Sequence, residues 1–229
     1  MPPQVSTKRI VCLANSRKLG GCCIAGKELL SDGNPGPWIR PISAREHEEV
    51  SLPESRCTDG AIPRVLDVIE VPVLEARGRD YQQENWLLDP KRKWKKGPAL
   101  PFDRLPHWTD NDGDLWVNGN STFQGLNDQM PVQEAEAFRH SLCLIPVRDL
   151  SLRVFVPGAG YGNSQKRVNG HFTYNGKEYR LRMTDNDYEY DYLQKPVGVY
   201  PIGKCFLTVS LGEPFNGFAY KLIAAIIRG

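Results

Sequence analysis

The stretch 10-IVCLANSRKLGGCCIAGKEL-29 decides how the fold of this chain is interpreted. Within it, Gly21, Gly26 and Lys27 match the phosphate-binding P-loop pattern G-x-x-x-x-G-K, but a glutamate follows where that motif has Ser or Thr. The residues between the two glycines are apolar and strand-like, and the glycine and prolines of segment 33–37 prevent a helix after the lysine. A P-loop needs a strand, a loop and a helix in that order, so the context argues against one here.

A β-hairpin explains the same stretch better. Residues 9–14 predict an outgoing strand, and residues 22–29 predict the strand that returns. The predicted turn between them carries two small polar side chains and two cations: Asn15, Ser16, Arg17 and Lys18. Such a set suits a phosphate or the polar edge of a base. An ordinary solvated turn has the same composition and remains the alternative.

Strand signals continue through most of the chain. Short runs rich in Val and Ile are bounded by Gly, Pro or Asp, and Asn175-Gly176 predicts a type I′ hairpin turn within 171–185. Helix signals are few: a capping-box pattern opens 42–50, 131–142 has residues suited to both ends of a helix, and 185–193 is a candidate for a further short helical turn. The closing run 218–229 fits a helix or a buried strand. The sequence therefore predicts a mainly β fold with few short helices.

The middle of the chain, roughly 77–130, differs from its surroundings. It is polar, rich in Trp and without convincing periodicity. A long irregular stretch in a compact protein is usually functional or mobile. We expect it to be an insertion in an N-terminal domain of residues 1–130, followed by a C-terminal domain of residues 131–229.

Composition narrows the classes of function. The formal net charge is only +2, so the chain lacks a global basic field and nucleic-acid binding needs a local patch. The first residues do not resemble a signal peptide, and no apolar run approaches the length of a membrane span, so we expect a cytoplasmic protein without membrane contact. The six cysteines include no C-x-x-C pair, and neither a metal nor a cofactor is expected.

Two segments in the first half combine aromatic and cationic residues. In 36-GPWIRPIS-43, Trp38 and Arg40 lie on the same side of a predicted strand and could stack a base and bind its phosphate. A half-buried Trp with a snorkelling Arg is the alternative. In 91-KRKWKK-96, five cations surround Trp94, which indicates either a nucleic-acid contact or a solvated basic loop.

A third segment, 180-RLRMTD-185, places Arg180, Arg182 and Thr184 on one strand face. These arginines suit a phosphate, or an internal pairing with the acidic residues that follow. The glycine-rich loop 161-YGNSQKR-167 is a weaker signal of the same kind. The four histidines belong to no recognisable catalytic or metal-binding motif.

Four blocks of the chain resemble the prokaryotic dual OB-fold domain family: Ile10–Leu29, Trp38–Ser43, Leu181–Asp185 and Leu207–Ile227. The resemblance implies two small OB-like β-barrels packed together. It also implies a role in nucleic-acid or nucleotide sensing in bacterial conflict and phage-defence loci. OB barrels bind oligonucleotides on a strand face and its flanking loops, which agrees with a β-rich chain that has aromatic and cationic loops.

The leading hypothesis is a non-enzymatic module that binds single-stranded DNA, RNA or a nucleotide. Its candidate ligand-binding residues fall into three groups. The phosphate contacts are Arg17, Lys18, Arg40 and Arg182. The stacking residues are Trp38 with Trp86 or Trp94. The polar contacts are Asn15, Ser16 and Ser43, and Thr184 and Asp185 are further candidate ligand-binding residues.

One alternative is an enzyme acting on a nucleotide or modified base with Asp185 as general base. Another is an interaction domain whose Trp-rich middle binds an effector protein.

Overall fold

A computed structural model describes residues 5–110 and 113–229. The protein is mainly β, as predicted, and divides into two compact units. The first unit runs to Thr109 and also takes in Arg139–Ser141 and Gly229. The second unit comprises Asp110–Phe138 and Leu142–Arg228.

The division between the units lies about twenty residues before the boundary expected near 130. Residues 110 and 113–138 belong to the second unit, and backbone bonds tie this segment to the second sheet. The Asp110 amide donates to the Leu144 carbonyl, and Leu126 pairs with Arg180. Absence of periodicity in the sequence does not show which sheet such a segment joins.

Six strands form the sheet of the first unit: β1 (Ser6–Lys18), β2 (Gly21–Leu29), β3 (Pro35–Ile42), β4 (Asp67–Ala76), β5 (Asn85–Leu88) and β6 (Lys95–Ala99). Short helices accompany them, namely α1 (Leu52–Ser55) and the 3₁₀ helix η1 (Phe102–Trp108). The pairings close a ring in the order β1-β2-β3-β5-β4-β1, with β3 and β5 parallel and β6 added to β4. This is a closed five-stranded barrel with α1 between its third and fourth strands.

The opening stretch is a hairpin, as predicted, but its turn is shorter than expected. Strand β1 continues through Asn15 to Lys18, and only Leu19 and Gly20 separate it from β2. Gly26, which contributed to the P-loop pattern, is needed for another reason. A Cβ at that position would lie 1.9 Å from the Val11 carbonyl oxygen, so only glycine allows the two strands to approach.

The second unit has its own sheet: β7 (Gln129–Pro131), β8 (Leu142–Phe155), β9 (Arg167–Tyr174), β10 (Lys177–Met183), β11 (Gly198–Leu211) and β12 (Phe218–Ile227). Its helices are α2 (Val132–Ala135), the 3₁₀ helix η2 (Ala159–Tyr161) and α3 (Asn186–Leu193). The ring closes in the order β8-β9-β10-β12-β11-β8, with β10 and β12 parallel. The first barrel has the same order, including a helix between the third and fourth strands.

Local predictions had mixed outcomes. Asn175 and Gly176 both have positive φ, at 48° and 74°, and join β9 to β10 as expected of a type I′ turn. The closing run is strand β12, and 185–193 contains α3. The helix expected over 131–142 is confined to α2. The capping box operates at Ser51 and Glu54 of α1 rather than in 42–50.

The middle segment is more regular than its sequence suggests, since β5, β6 and η1 all lie in it. Strand β5 has only four residues and every residue of β6 is exposed, so neither shows a hydrophobic alternation. None of the helices in the described residues has the length and apolarity of a membrane span.

Asp185 ties α3 to the barrel and gives a test of the second unit. Its Oδ1 accepts the Asp187 and Tyr188 amides at the start of α3, and its Oδ2 accepts the Ile226 amide of β12 at 2.9 Å. Burial is the largest effect on this carboxyl group and raises its pKa from 3.8 to about 6. The folded state therefore binds more protons than the unfolded state between those two values.

We predict that the contribution of Asp185 to the free energy of unfolding falls as pH rises from about 4 to about 6. The wild type should lose up to about 3 kcal/mol relative to Asp185→Asn, which has no proton to release. Urea unfolding of both proteins at pH 4, 5, 6 and 7 measures the difference. The free energy of unfolding of the wild type minus that of Asp185→Asn should therefore decrease as pH rises. A value of this difference that stays constant or increases would contradict the assignment.

Candidate nucleic-acid interface

The outer face of three neighbouring strands in the second unit is lined with polar and cationic side chains. Along β9, Val168 and Phe172 are buried in the barrel, so Arg167, Asn169 and His171 face outward in alternation with them. Of these three outward side chains, Arg167 is exposed and His171 is half-buried, whereas Asn169 is buried where it bonds the Gln124 carbonyl.

The strand register adds arginines on both sides of β9. Asn169 pairs with Arg153 of β8 and with Arg182 of β10, and His171 pairs with Arg180. Four arginines therefore share one face, three of them exposed and Arg180 half-buried: Arg153, Arg167, Arg180 and Arg182. We call this surface the arginine face. It supplies the local basic patch that a net charge of +2 does not suggest.

A cavity of about 500 Å³ opens on the arginine face. Its volume lies within the range of roughly 300–1,000 Å³ that is usual for small-ligand sites. The residues that line it come from β8, β9, β10, β12 and the loops around them: Thr122, Phe123, Gln124, Asp128, Phe155, Arg167, Asn169, Arg182, Phe215, Tyr220, Lys221 and Leu222. The second and third strands of the barrel and the loop between its fourth and fifth strands meet here, and OB barrels use these same elements to bind oligonucleotides.

Two phenylalanines on loops reach the cavity from solvent. Phe123 is 97% exposed and Phe215 is 64% exposed, whereas most large apolar side chains of the second unit are buried. Phe215 also lies near Tyr220, with 6.3 Å between their ring centroids. Exposed aromatic rings that line one cavity are typical of a surface that stacks a flat ligand.

The loop that carries Phe123, residues 119–128, is held firmly against the barrel, and we call it the wall loop. Thr122 donates from its amide and its hydroxyl to the Asp128 carboxylate. A Cβ at Gly125 would lie 1.7 Å from that carboxylate, so a larger residue there would displace the carboxylate from Thr122. Asn169 donates to the Gln124 carbonyl at 3.0 Å. Phe123 is thus presented by an ordered loop.

The predicted residues of the first hairpin have structural roles in part. Asn15 donates to the Pro63 carbonyl at 3.0 Å, and the hydroxyl of the buried Ser16 points to the Cys23 carbonyl. They lie in strand β1, not in a loop, as do Arg17 and Lys18. All four belong to the first unit and lie outside the cavity lining. Their contact with a ligand stays a prediction.

The pair Trp38 and Arg40 is not open to a ligand, so that interpretation needs correction. Both are buried, and an Arg40 nitrogen lies 2.6 Å from a Glu84 carboxylate oxygen and 2.5 Å from the Ser141 hydroxyl. Ser43 is also buried, with its hydroxyl donating to Glu54. A buried guanidinium needs such partners, and they leave it no role as a phosphate contact.

Trp38 is covered together with the neighbouring strand. The Lys27 ammonium lies 5.5 Å from the Trp38 ring centroid and donates to the Trp108 carbonyl at 2.7 Å. Trp108 closes η1 and is fully buried. The segment that contains η1 therefore occupies the side of β2 and β3 where the sequence predicted a binding face.

The other two predicted tryptophans also have internal contacts. Trp94 is fully buried in the first barrel, so the prediction that it stacks a base is wrong. Trp86 is partly buried under the Lys8 ammonium, 4.3 Å from its ring centroid. The basic run around Trp94 is largely paired as well: Lys93 with the Pro53 carbonyl, Lys96 with Asp67, and Arg92 with Asp89.

Among the predicted residues of the second unit, Arg182 lies in the cavity lining. Thr184 is buried and donates to the Ile223 carbonyl, which secures the strand pairing. Asp185 uses both carboxylate oxygens on backbone amides and lies outside the lining, so the geometry does not support it as a general base. In the described residues, no group of three His, Cys, Asp or Glu side chains is placed to hold a metal ion.

Sequence reasoning missed Phe123, Asn169 and Phe215, and it gave little weight to Arg167. A usable signal was present for the two phenylalanines. Each stands alone among turn-forming residues, in 121-STFQGLN-127 and 212-GEPFNG-217, where a buried strand residue is not expected. Asn169 carries no such signal, because its position follows from the strand register.

Comparison with known proteins agrees with this topology. The family model for the dual OB-containing domain matches residues 8–226. A search of curated proteins and a search of solved structures found no significant match. The match covers both barrels almost completely, and the strand order of each ring repeats the same arrangement. The chain therefore belongs to the dual OB-containing domain family.

Proposed function

We propose that this protein binds single-stranded nucleic acid on the arginine face of its second barrel, as a non-enzymatic sensing module. The supporting observation is that arginines on three adjacent strands lead to a cavity lined by two exposed phenylalanines. Guanidinium groups bind phosphates, and aromatic rings stack bases without regard to sequence. The OB fold is suited to such ligands.

The spacing of the arginine face favours a strand over an isolated phosphate. Alternate residues of one strand are about 6.6–6.8 Å apart, and neighbouring strands are separated by about 4.7–4.9 Å. Arg180 and Arg182 are alternate residues of β10, and Arg153 lies two strands away across Asn169. Several phosphates of an extended strand can therefore be bound at once, while an unpaired base enters the cavity. A paired base would not present its face to Phe123 or Phe215.

The biological setting is part of the proposal. The family resemblance points to a bacterial conflict or defence system, in which a cytoplasmic sensor would report foreign or damaged nucleic acid to an effector protein. Phage plating on cells that carry the wild type or an Arg167→Ala/Arg182→Ala variant tests this role. Equal plating efficiency on cells with the wild type and with the variant would contradict the defence role and would leave the binding proposal unaffected.

The two alternatives have less support. An enzyme would need reactive groups in the cavity, and the acid chosen for that role, Asp185, lies outside its lining. A Trp-rich docking segment would need exposed rings, but Trp94, Trp108 and Trp116 are all buried. The cavity itself is therefore the better guide to function.

We predict that a labelled single-stranded oligonucleotide binds with an affinity that falls steeply with salt. Four phosphate contacts correspond to a slope of about −3 in a plot of log K against log salt concentration. Arg182→Ala should weaken binding several-fold and make the slope shallower by about 0.7. Fluorescence anisotropy between 50 and about 300 mM salt measures both quantities.

The matched control is Arg104→Ala, which removes an exposed arginine of the first unit. Binding of a mononucleotide with a slope near −1 or shallower, without oligonucleotide binding, would identify a nucleotide sensor instead. If neither ligand binds, or if Arg182→Ala behaves like the control, the proposed site is incorrect.

We also predict that the two phenylalanines contribute stacking and not charge. Phe123→Ala and Phe215→Ala should each weaken oligonucleotide binding by about 1–3 kcal/mol and leave the salt slope unchanged. Tyr161→Ala is the control, because Tyr161 is equally exposed at 97% but lies outside the cavity lining. Unchanged affinity of both Phe variants in the same titration would show that no base is stacked at the cavity.

A further inference from the structure

We propose that Lys221 is a positioning residue that fixes the wall loop from inside the second barrel. Lys221 is 1% exposed and lies in β12, where it alternates with Tyr220 and Leu222. Those two neighbours are partly exposed, whereas the buried residues Ala219 and Ile223 share the inward side with Lys221. Lys221 is among the residues that line the cavity, and the alternation along β12 directs its side chain to the inward side of the strand.

The Lys221 ammonium bonds the segment just before the wall loop. It donates to the Val117 carbonyl at 2.7 Å and to the Asn118 side-chain oxygen at 2.8 Å. The Tyr179 ring centroid lies 5.5 Å away. Within residues 5–110 and 113–229, no carboxylate lies within ion-pairing distance of this nitrogen. Its hydrogen-bond acceptors are therefore the oxygens of one segment of chain.

The same residue also bonds the far end of the wall loop. The Lys221 amide donates to the Asp128 carbonyl at 2.8 Å, and the Asp128 carboxylate accepts from Thr122. One residue of β12 therefore holds the chain on both sides of Phe123. A buried cation is costly, and an apolar side chain would fill the barrel interior without that cost. We infer that the lysine is present for its bonds to residues 117 and 118.

The charged and titratable groups around Lys221 come from three elements. Asp114 precedes the bonded segment and forms an ion pair with Lys177 of β10. Asp128 lies at the end of the wall loop, and Tyr179 faces the lysine from β10. Burial outweighs the two carboxylates and lowers the pKa of Lys221 from 10.5 to about 7.

The direction of the pH effect follows from linkage. Opening of the wall loop would expose the amine to water, where its pKa returns to about 10.4. The open form then binds more protons than the closed form between pH 7 and 10, so opening becomes less favourable as pH rises through that range. This effect belongs to Lys221 and should disappear when the amine is removed.

Hydrogen exchange of the unliganded protein, followed by mass spectrometry, tests the positioning role without reference to any ligand. Lys221→Met should raise exchange of amides in residues 113–128 by about tenfold, as expected for loss of two hydrogen bonds. In the wild type, protection of these amides, corrected for the intrinsic rate, should increase from pH 7 to pH 9. In Lys221→Met it should not.

Lys204→Met, which removes an exposed lysine of β11, is the matched control and should exchange like the wild type. If Lys221→Met does not fold, Asn118→Ala removes one acceptor and keeps the lysine, and it should raise exchange in the same residues. The wild-type pH series needs no variant. The positioning role would be overturned if amide hydrogen exchange in residues 113–128 were the same in both variants as in the wild type, and if protection of these amides in the wild type did not change with pH.

The link to binding rests on the proposed function and has its own readout. Lys221→Met should weaken oligonucleotide affinity at least about threefold with an unchanged salt slope, because no phosphate contact is removed. Faster exchange with unaltered affinity would overturn the link between the wall loop and the ligand. If the wild type binds no nucleic acid but exchange responds as expected, the proposed function fails and the positioning role stands.

Discussion

The parallel pairing that closes each barrel is the constraint on which the rest of the structure depends. In the second barrel, Arg182 and Met183 of β10 lie beside Leu222 and Ile223 of β12. Two bonds to the Ile223 carbonyl, from the Thr184 amide and hydroxyl, extend this contact. Closure brings the third strand next to the last, and so places Arg182 against the β12 residues of the cavity. Without it, the cavity lining would be divided between separate sheet edges.

The equivalent junction of the first barrel has a different use. Arg40 of β3 pairs with Asn85 of β5, and its guanidinium is buried against Glu84 and Ser141. A buried ion pair of this kind is weak evidence for stability, but removal of either partner leaves a buried charge that is costly. The two barrels thus share a strand order, but the arginine at this junction is buried in the first barrel (Arg40) and exposed in the second (Arg182). Family membership shows the topology, and the side chains decide which face a ligand can reach.

The tryptophans of the middle segment are largely core residues rather than a docking surface. Trp94 fills the first barrel, and Trp108 is buried where its carbonyl meets Lys27. In the second unit, Lys221 bonds the Val117 carbonyl in a similar way. A buried lysine on a barrel strand fastens irregular backbone in each unit. Such backbone has few sheet bonds of its own, and its polar groups must be satisfied by side chains when it is buried.

Sequence alone determined the β class, the first hairpin, the Asn175-Gly176 turn and the family. The first three depend on local residue patterns, and the family is recognised from blocks of similar sequence along the chain. It also selected Arg182. Tertiary structure decided which candidates are accessible. Trp38 and Arg40 have the residue types of a binding face, but burial depends on what packs over a strand, and no local pattern records that. The cavity combines residues from 122 to 222, and only strand register and barrel closure bring them together.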